Sequence, residues 1–197
     1  MKDPKNPSKI GKLTEGGIMV ALAFALSLIP HFELPFGGSI SWFATLPILV
    51  MSLRHNWRWG LGTAAVYSLA QMLQGMGSIT LLKTIPAMIL CAFLDYIFAY
   101  LCLGFCGPIA RRFKNATVGI AAGILATGAM RLVFSILSGV ILWSEYAGDT
   151  PVWQYSVTYN ASWCIPDVLI VLIAALILSR VPQMHLTDTH QNGAAAQ

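Results

Sequence analysis

Charge is scarce in this chain. Only 10% of its 197 residues are Asp, Glu, Lys or Arg, and only eight are acidic. A soluble domain carries about 25% charged residues, so a water-exposed globule is excluded. Catalytic signatures are missing too. There is no HExxH helix, no GxSxG elbow and no GxxxxGK[ST] phosphate loop, and no catalytic residue is predicted. The four histidines, His31, His55, His185 and His190, fall in predicted loops or in the tail. Work driven by ATP would need another subunit. The four cysteines, Cys91, Cys102, Cys106 and Cys164, all lie in apolar segments. Cys102 and Cys106 share a helical face, but neither His nor carboxylate stands nearby at ligand spacing. They read as small polarizable packing residues, and no metal or cofactor is predicted. The basic leader MKDPKNPSKIGKL is not followed by a clear cleavage site, so it reads as retained. No internal repeat is visible.

Apolar sequence is what the chain has in abundance. It is 56% hydrophobic, with a mean hydropathy of +0.68. A helical span takes about 20 mostly apolar residues, so six spans would use roughly 120 residues and leave only short loops. The expectation is an all-α membrane protein, a compact bundle of six transmembrane helices. The spans are predicted over residues 10–29, 40–53, 59–74, 84–109, 117–143 and 157–178. They form a single domain over 1–180, with a polar tail at 181–197. Pro30 closes the first span, and Pro166 is expected to kink the last. Gly17, Ala21 and Ala25 recur every four residues in the first span. In lipid such faces allow close backbone approach. They serve either internal packing or the docking of another membrane protein.

The basic residues orient the bundle. With a cytoplasmic N-terminus, Lys2, Lys5, Lys9, Lys12, Arg54, Arg58, Arg111, Arg112, Lys114 and Arg180 all fall on the inner side. Lys83 lies near an outer loop, and Arg131 lies within a span. Glu33, Glu145 and Asp149 fall outside. The positive-inside rule then places both termini in the cytoplasm. Basic residues beside spans indicate a bilayer partner and not a nucleic acid.

The stretch Arg131–Asn160 draws most attention. An arginine inside hydrocarbon costs about 2.5–3.5 kcal/mol on insertion scales, so it should face a partner or a polar cavity. Asp95 is the other clear charge deep in apolar sequence. A carboxylate and a guanidinium reduce each other's burial cost, so Asp95 and Arg131 either lock two helices together or also reach a ligand. Asp95 suits an amino-substituted heterocycle or a cation. Trp143, Trp153, Tyr155 and Tyr159 cluster about one outer loop, where rings form an interfacial belt or hold a cation at about 0.5–2 kcal/mol per contact. Asn160, Trp163 and Asp167 share a helical face. Asp167 reads equally well as cavity wall or as internal polar glue. The pattern suggests a pocket for a small polar ligand, a cation among the candidates. A membrane enzyme using Asp95 and Asp167 as acid and base, and a purely structural protein, are the rival classes.

Four stretches together carry a family resemblance: LPFGGSISWFATLPILVMSLR, AFLDYIFAYLCLGFCGPI, RLVFSILSGVILWSEYA and QYSVTYNASWCIP. In order and spacing they resemble the thiamine-specific substrate-binding (S) subunit of energy-coupling factor transporters. The resemblance implies six helices, a thiamine pocket opening outward, a multi-pass place in a prokaryotic cell membrane, and docking onto a transmembrane coupling (T) subunit with two ATP-binding-cassette ATPases. By resemblance Asp95 contacts the aminopyrimidine, Arg131 occupies a basic position of the pocket, Trp143 stacks, and Tyr155 and Asn160 are polar wall residues. Gly17, Ala21 and Ala25 match the face that meets the coupling protein. One position departs: where the family often has histidine, this chain has Ser135. Serine neither stacks nor carries charge, which brings a thiamine precursor or analogue within reach.

Overall fold

The computed structural model describes residues 8–29, 32–33, 39–40 and 42–181. Most of residues 31–41, expected as a turn-rich loop, and of the tail at 181–197 therefore lies outside the described residues. The first long helix, α1, spans Lys9–Ser27, and the Ser8 hydroxyl caps it by accepting from Gly11 N at 3.1 Å. Such a cap satisfies one of the four amides a helix start leaves open. A two-residue antiparallel pair follows, β1 (Phe32–Glu33) on β2 (Ser39–Ile40).

Helix α2 (Leu46–Arg54) is the centre of the molecule, and every residue from Pro47 to Leu53 is buried. It packs against α1, α3 (Trp57–Gln74), α7 (Cys106–Ala110) and α9 (Val152–Leu178). The core gathers around it from Ile48, Leu49 and Leu53, together with Ala23, Ala64, Tyr67, Ile124 and Val171. Nine residues at 1.5 Å each reach about 14 Å, well short of a hydrocarbon layer of about 30 Å. The sequence predicted a longer second span because it counted residues before Leu46 that are not helical. Helix α3 has the length of a span but turns Thr63, Tyr67, Ser68 and Gln71 inward. Among the described residues, four helical stretches are long and apolar enough to cross a membrane: Lys9–Ser27, Ile85–Ala110, Ala116–Leu142 and Val152–Leu178.

The second of these stretches is broken in a way the sequence did not announce. After the short α4 (Met76–Ile79), it runs as α5 (Ile85–Cys91), a π-helical turn (Ala92–Phe98), α6 (Ala99–Leu101), a 3₁₀ turn (Cys102–Phe105) and α7. A 3₁₀ turn changes the ladder and frees backbone groups that lipid will not satisfy. Ser52 of α2 meets them: its hydroxyl donates to Gly104 O at 2.7 Å and accepts from Gly107 N at 2.8 Å. A Cβ at position 107 would collide with the Ser52 carbonyl, so only glycine permits this approach.

Helix α8 (Ala116–Leu142) starts at Asn115, whose side chain accepts from Thr117 N and Val118 N at 2.9 and 3.2 Å. It packs along α9, which runs continuously through Pro166. A 3₁₀ turn (Ser144–Ala147) and the left-handed Gly148 connect the two. At the other end of the bundle, Glu15 of α1 holds Arg54 at 2.6 Å and His55 at 2.9 Å, while Arg111 donates to the His55 carbonyl at 3.1 Å. This cluster ties α1, the α2–α3 turn and the end of α7 together.

Candidate functional site

A cavity with about 130 Å³ of water-accessible space lies between the interrupted stretch, α8 and α9. Its wall takes Ser78, Cys91, Asp95, Tyr96 and Tyr100 from the first side, Arg131, Ser135, Gly139 and Trp143 from α8, and Tyr146 from the turn beyond. Tyr155, Ser156, Tyr159, Asn160 and Trp163 complete it from α9. The α8 contribution follows from helix geometry, since positions 131, 135 and 139 recur every four residues on one face. Gly139 is needed there. A Cβ at that position would collide with the Ser156 hydroxyl, which itself donates across to Ile136 O at 2.8 Å.

All six residues singled out as ligand-binding, Asp95, Arg131, Ser135, Trp143, Tyr155 and Asn160, stand around this one cavity. Their pairing differs from the expectation. Asp95 and Arg131 do not form the predicted ion pair. Arg131 Nη1 donates to Asp167 Oδ2 at 2.8 Å, and Nη2 donates to the Tyr100 hydroxyl at 3.1 Å. The guanidinium also lies over the Tyr100 and Trp163 rings, 4.7 and 4.9 Å from their centroids. Position 167 shares a face with 160 and 163 one turn deeper, which puts its carboxylate in reach of α8. Asp167 is 2% exposed and absent from the cavity wall, so it is internal polar glue. An unpaired charge buried at this depth would be strongly destabilising, and Asp167 removes that penalty for Arg131.

Asp95 keeps different company. It sits in the π turn, a distortion that recurs at functional sites. Its Oδ2 accepts from Ser138 Oγ at 2.5 Å and from Cys91 Sγ at 3.3 Å. With Arg131 paired to Asp167, the cavity retains one carboxylate that no described protein cation matches. Asn160 spends its Nδ2 on Ser156, bonding the backbone oxygen at 2.9 Å and the hydroxyl at 3.3 Å. Its carboxamide oxygen accepts no bond from the described residues and can receive one from a ligand. Aromatic surface lines the remainder. Trp143 packs on Tyr146 with centroids 5.8 Å apart, and Tyr155 stacks on Tyr159 at 5.8 Å and 19°. Trp153, grouped with these rings by sequence, is 62% exposed and outside the cavity, as suits an interfacial anchor.

Sequence reasoning passed over Tyr96, Tyr100 and Tyr146 and read Cys91 only as packing. Cys91 is more than packing, since its thiol meets Asp95 one turn on. The i, i+4 spacing of a cysteine and an intramembrane carboxylate was the available signal. The three tyrosines gave none, because Tyr reads equally as core or belt.

The small-residue face of α1 is also settled geometrically. Gly17, Ala21 and Ala25 are exposed, while Gly16, Ala23 and Ser27 are the buried residues of that helix. Gly17 and Ala21 line a groove of about 590 Å³ between α1 and α3, with Leu13, Val20, Phe24, Trp59, Val66 and Ala70. Ala25 lies outside its lining. The face is therefore not internal packing.

Known proteins place this architecture. The fold is similar to a solved structure described as the structure and mechanism of the S component of a bacterial ECF transporter. The TM-score is 0.61 at 20% identity, covering 88% of this chain and 95% of that one. In sequence, the chain is 30% identical to the thiamine transporter ThiT of Bacillus subtilis (strain 168), over 93% of this chain and 98% of that protein. The family model described as thiamine transporter protein (Thia_YuaJ) matches residues 13–186. The chain belongs to the thiamine transporter protein family.

Proposed function

We propose that this chain is the thiamine-binding S subunit of an ATP-driven energy-coupling factor importer. One observation carries the reading: Asp95 is the charge in the cavity that no cation among the described residues matches, because Arg131 is paired with Asp167. A cavity of that sign accepts a cation and disfavours an anion. Thiamine joins a cationic thiazolium to an aminopyrimidine. The aminopyrimidine has donors for Asp95 and for the Asn160 carboxamide oxygen. Trp143 and the tyrosines offer flat faces to either ring. Ser135, small and at the wall, supports a second reading in which a thiamine precursor or analogue is the preferred cargo.

The remaining assignments follow from the same reading. The helices sit in the cell membrane as six embedded segments with both termini cytoplasmic. The Glu15–Arg54–His55–Arg111 cluster then lies at the inner surface and the cavity nearer the outer one. Gly17, Ala21 and Ala25 form the face on which a transmembrane coupling subunit docks, and two ATP-binding-cassette ATPases supply the energy. The binding subunit performs no chemistry of its own.

Tryptophan fluorescence tests the reading. Thiamine titrated into the detergent-purified chain is expected to quench emission saturably, with riboflavin and biotin giving no saturable change. No response to thiamine would reject the assignment, and a response to a precursor alone would select the second reading.

A further inference from the structure

Four serines of the helices use their protons in a common way. Ser27, Ser68, Ser162 and Ser179 each donate to a carbonyl of their own helix three residues back, at 2.7 Å. This back-bonding is the usual fate of a helical serine. Ser52 and Ser156 instead reach a carbonyl of another segment, and Ser138 alone among these reaches a carboxylate. It is 0% exposed, and its hydroxyl crosses from α8 to Asp95 Oδ2 at 2.5 Å. Its neighbours Ser135 and Gly139 line the cavity, but Ser138 does not. It therefore meets the ligand only through the carboxylate.

A hydroxyl–carboxylate bond of 2.5–2.7 Å is charge-assisted and roughly twice as strong as a neutral one. The Cys91 thiol, at 3.3 Å, adds a weaker donor to the same oxygen. The two donors come from different segments, Cys91 from α5 and Ser138 from α8. Together with the Trp143 side chain, which also hydrogen-bonds the carboxylate, they fix its rotation about the Cα–Cβ and Cβ–Cγ bonds. Because both meet Oδ2, Oδ1 stands outside that pair of bonds.

We propose that Ser138 is a positioning residue for ligand selectivity. By clamping Asp95 Oδ2, it presents the carboxylate as a preorganised acceptor for an amino group on the bound heterocycle. This rests on the thiamine-binding reading above. Selectivity for the amino group then depends on a residue that touches no part of the ligand. Preorganised donors and acceptors gain affinity by removing the ordering cost at the moment of binding, and losing the clamp returns that cost only for ligands that use the carboxylate.

The test uses the full chain in detergent and two ligands: thiamine, and the thiamine analogue with hydrogen in place of the pyrimidine amino group. Wild type is expected to prefer thiamine. In Ser138→Ala, thiamine affinity is expected to fall about tenfold, while affinity for the des-amino analogue stays within twofold. Cys91→Ala is expected to move the ratio in the same direction by about twofold. Ser138→Cys, which keeps a weaker donor, is expected to fall between wild type and Ser138→Ala and carries the test if the alanine variant does not fold. Equal losses for both ligands, or an unchanged ratio, overturn the proposal and leave thiamine binding standing. If wild type binds neither ligand, the thiamine reading fails and this proposal fails with it.

Discussion

The molecule has two concave regions, and they are built from opposite materials. The cavity between the interrupted helix, α8 and α9 gathers a carboxylate, a guanidinium, a carboxamide, hydroxyls and seven aromatic side chains from across the chain. The groove between α1 and α3 is several times larger and is lined by Gly, Ala, Val, Leu and aromatic carbon, with Thr63 its polar member. Polar groups that converge from many segments recognise a small ligand by chemistry, since each has to be satisfied. A shallow apolar groove with small residues at its base recognises shape, and in a membrane the shape that fits it is another helix. The cavity is accordingly sensitive to single atoms, and the groove to volume.

The largest effect is expected beneath the cavity. Asp167→Asn keeps the shape but removes the charge that balances Arg131. Breaking one side of a buried pair typically costs about 3–5 kcal/mol, so the thermal midpoint in detergent should fall by several degrees or more. Replacing both partners, Arg131→Met with Asp167→Leu, should recover most of that stability while still impairing the ligand. If Asp167→Asn melts like wild type, the ion pair is not what holds α8 to α9.

Within the cavity the losses should appear in affinity. Asp95→Ala removes the unmatched carboxylate, and a charged hydrogen bond is worth about 1.5–3 kcal/mol. Thiamine affinity should fall on the order of 10- to 150-fold by titration calorimetry. Trp143→Ala removes one aromatic face and should lose about 2- to 30-fold, from about 0.5–2 kcal/mol. Unchanged affinity in both variants would move the site elsewhere.

How much of this was readable beforehand depended on whether a residue announces itself alone. Asp95, Arg131 and Asn160 did, because polar groups in apolar sequence need a reason to be there. Their pairings did not. Asp95 and Arg131 stood out as the two deep charges, yet the carboxylate that meets Arg131 is 36 positions away on α9 and the hydroxyl that meets Asp95 is 43 away on α8. Choosing between Asp95 and Asp167 requires knowing how α8 is rotated against α9, which periodicity does not supply. The π turn at Ala92–Phe98 was invisible for a related reason. It inserts without any proline or glycine to mark it, and a distortion of the ladder has no composition. The shortness of α2 was hidden by apolar residues that extend its run without being helical.

The groove should respond the other way round. Nothing lies within 4 Å of a Cβ built on Gly17, and Ala21 is exposed beside it, so bulk at either position is accommodated by the isolated chain. Ala21→Trp is expected to abolish co-purification with a coupling subunit while leaving thiamine affinity within about twofold. Equal loss of both would mean that the groove and the cavity are mechanically one unit.

The smallest effect is expected near the cavity's outer rim. Lys83, ahead of α5, approaches Glu145 in the turn after α8 at 3.6 Å, with both side chains about four-fifths exposed. A pair so exposed pays side-chain ordering and is screened by salt, and many such pairs contribute nothing measurable. Unlike Arg131 and Asp167, it has no low-dielectric surroundings to amplify it. Lys83→Ala should therefore leave both the melting temperature and the affinity unchanged, at low salt as at high. A salt-dependent loss of affinity would instead mean that the pair holds Tyr146 and Trp143 against the ligand, and that the cavity's chemistry extends to its rim.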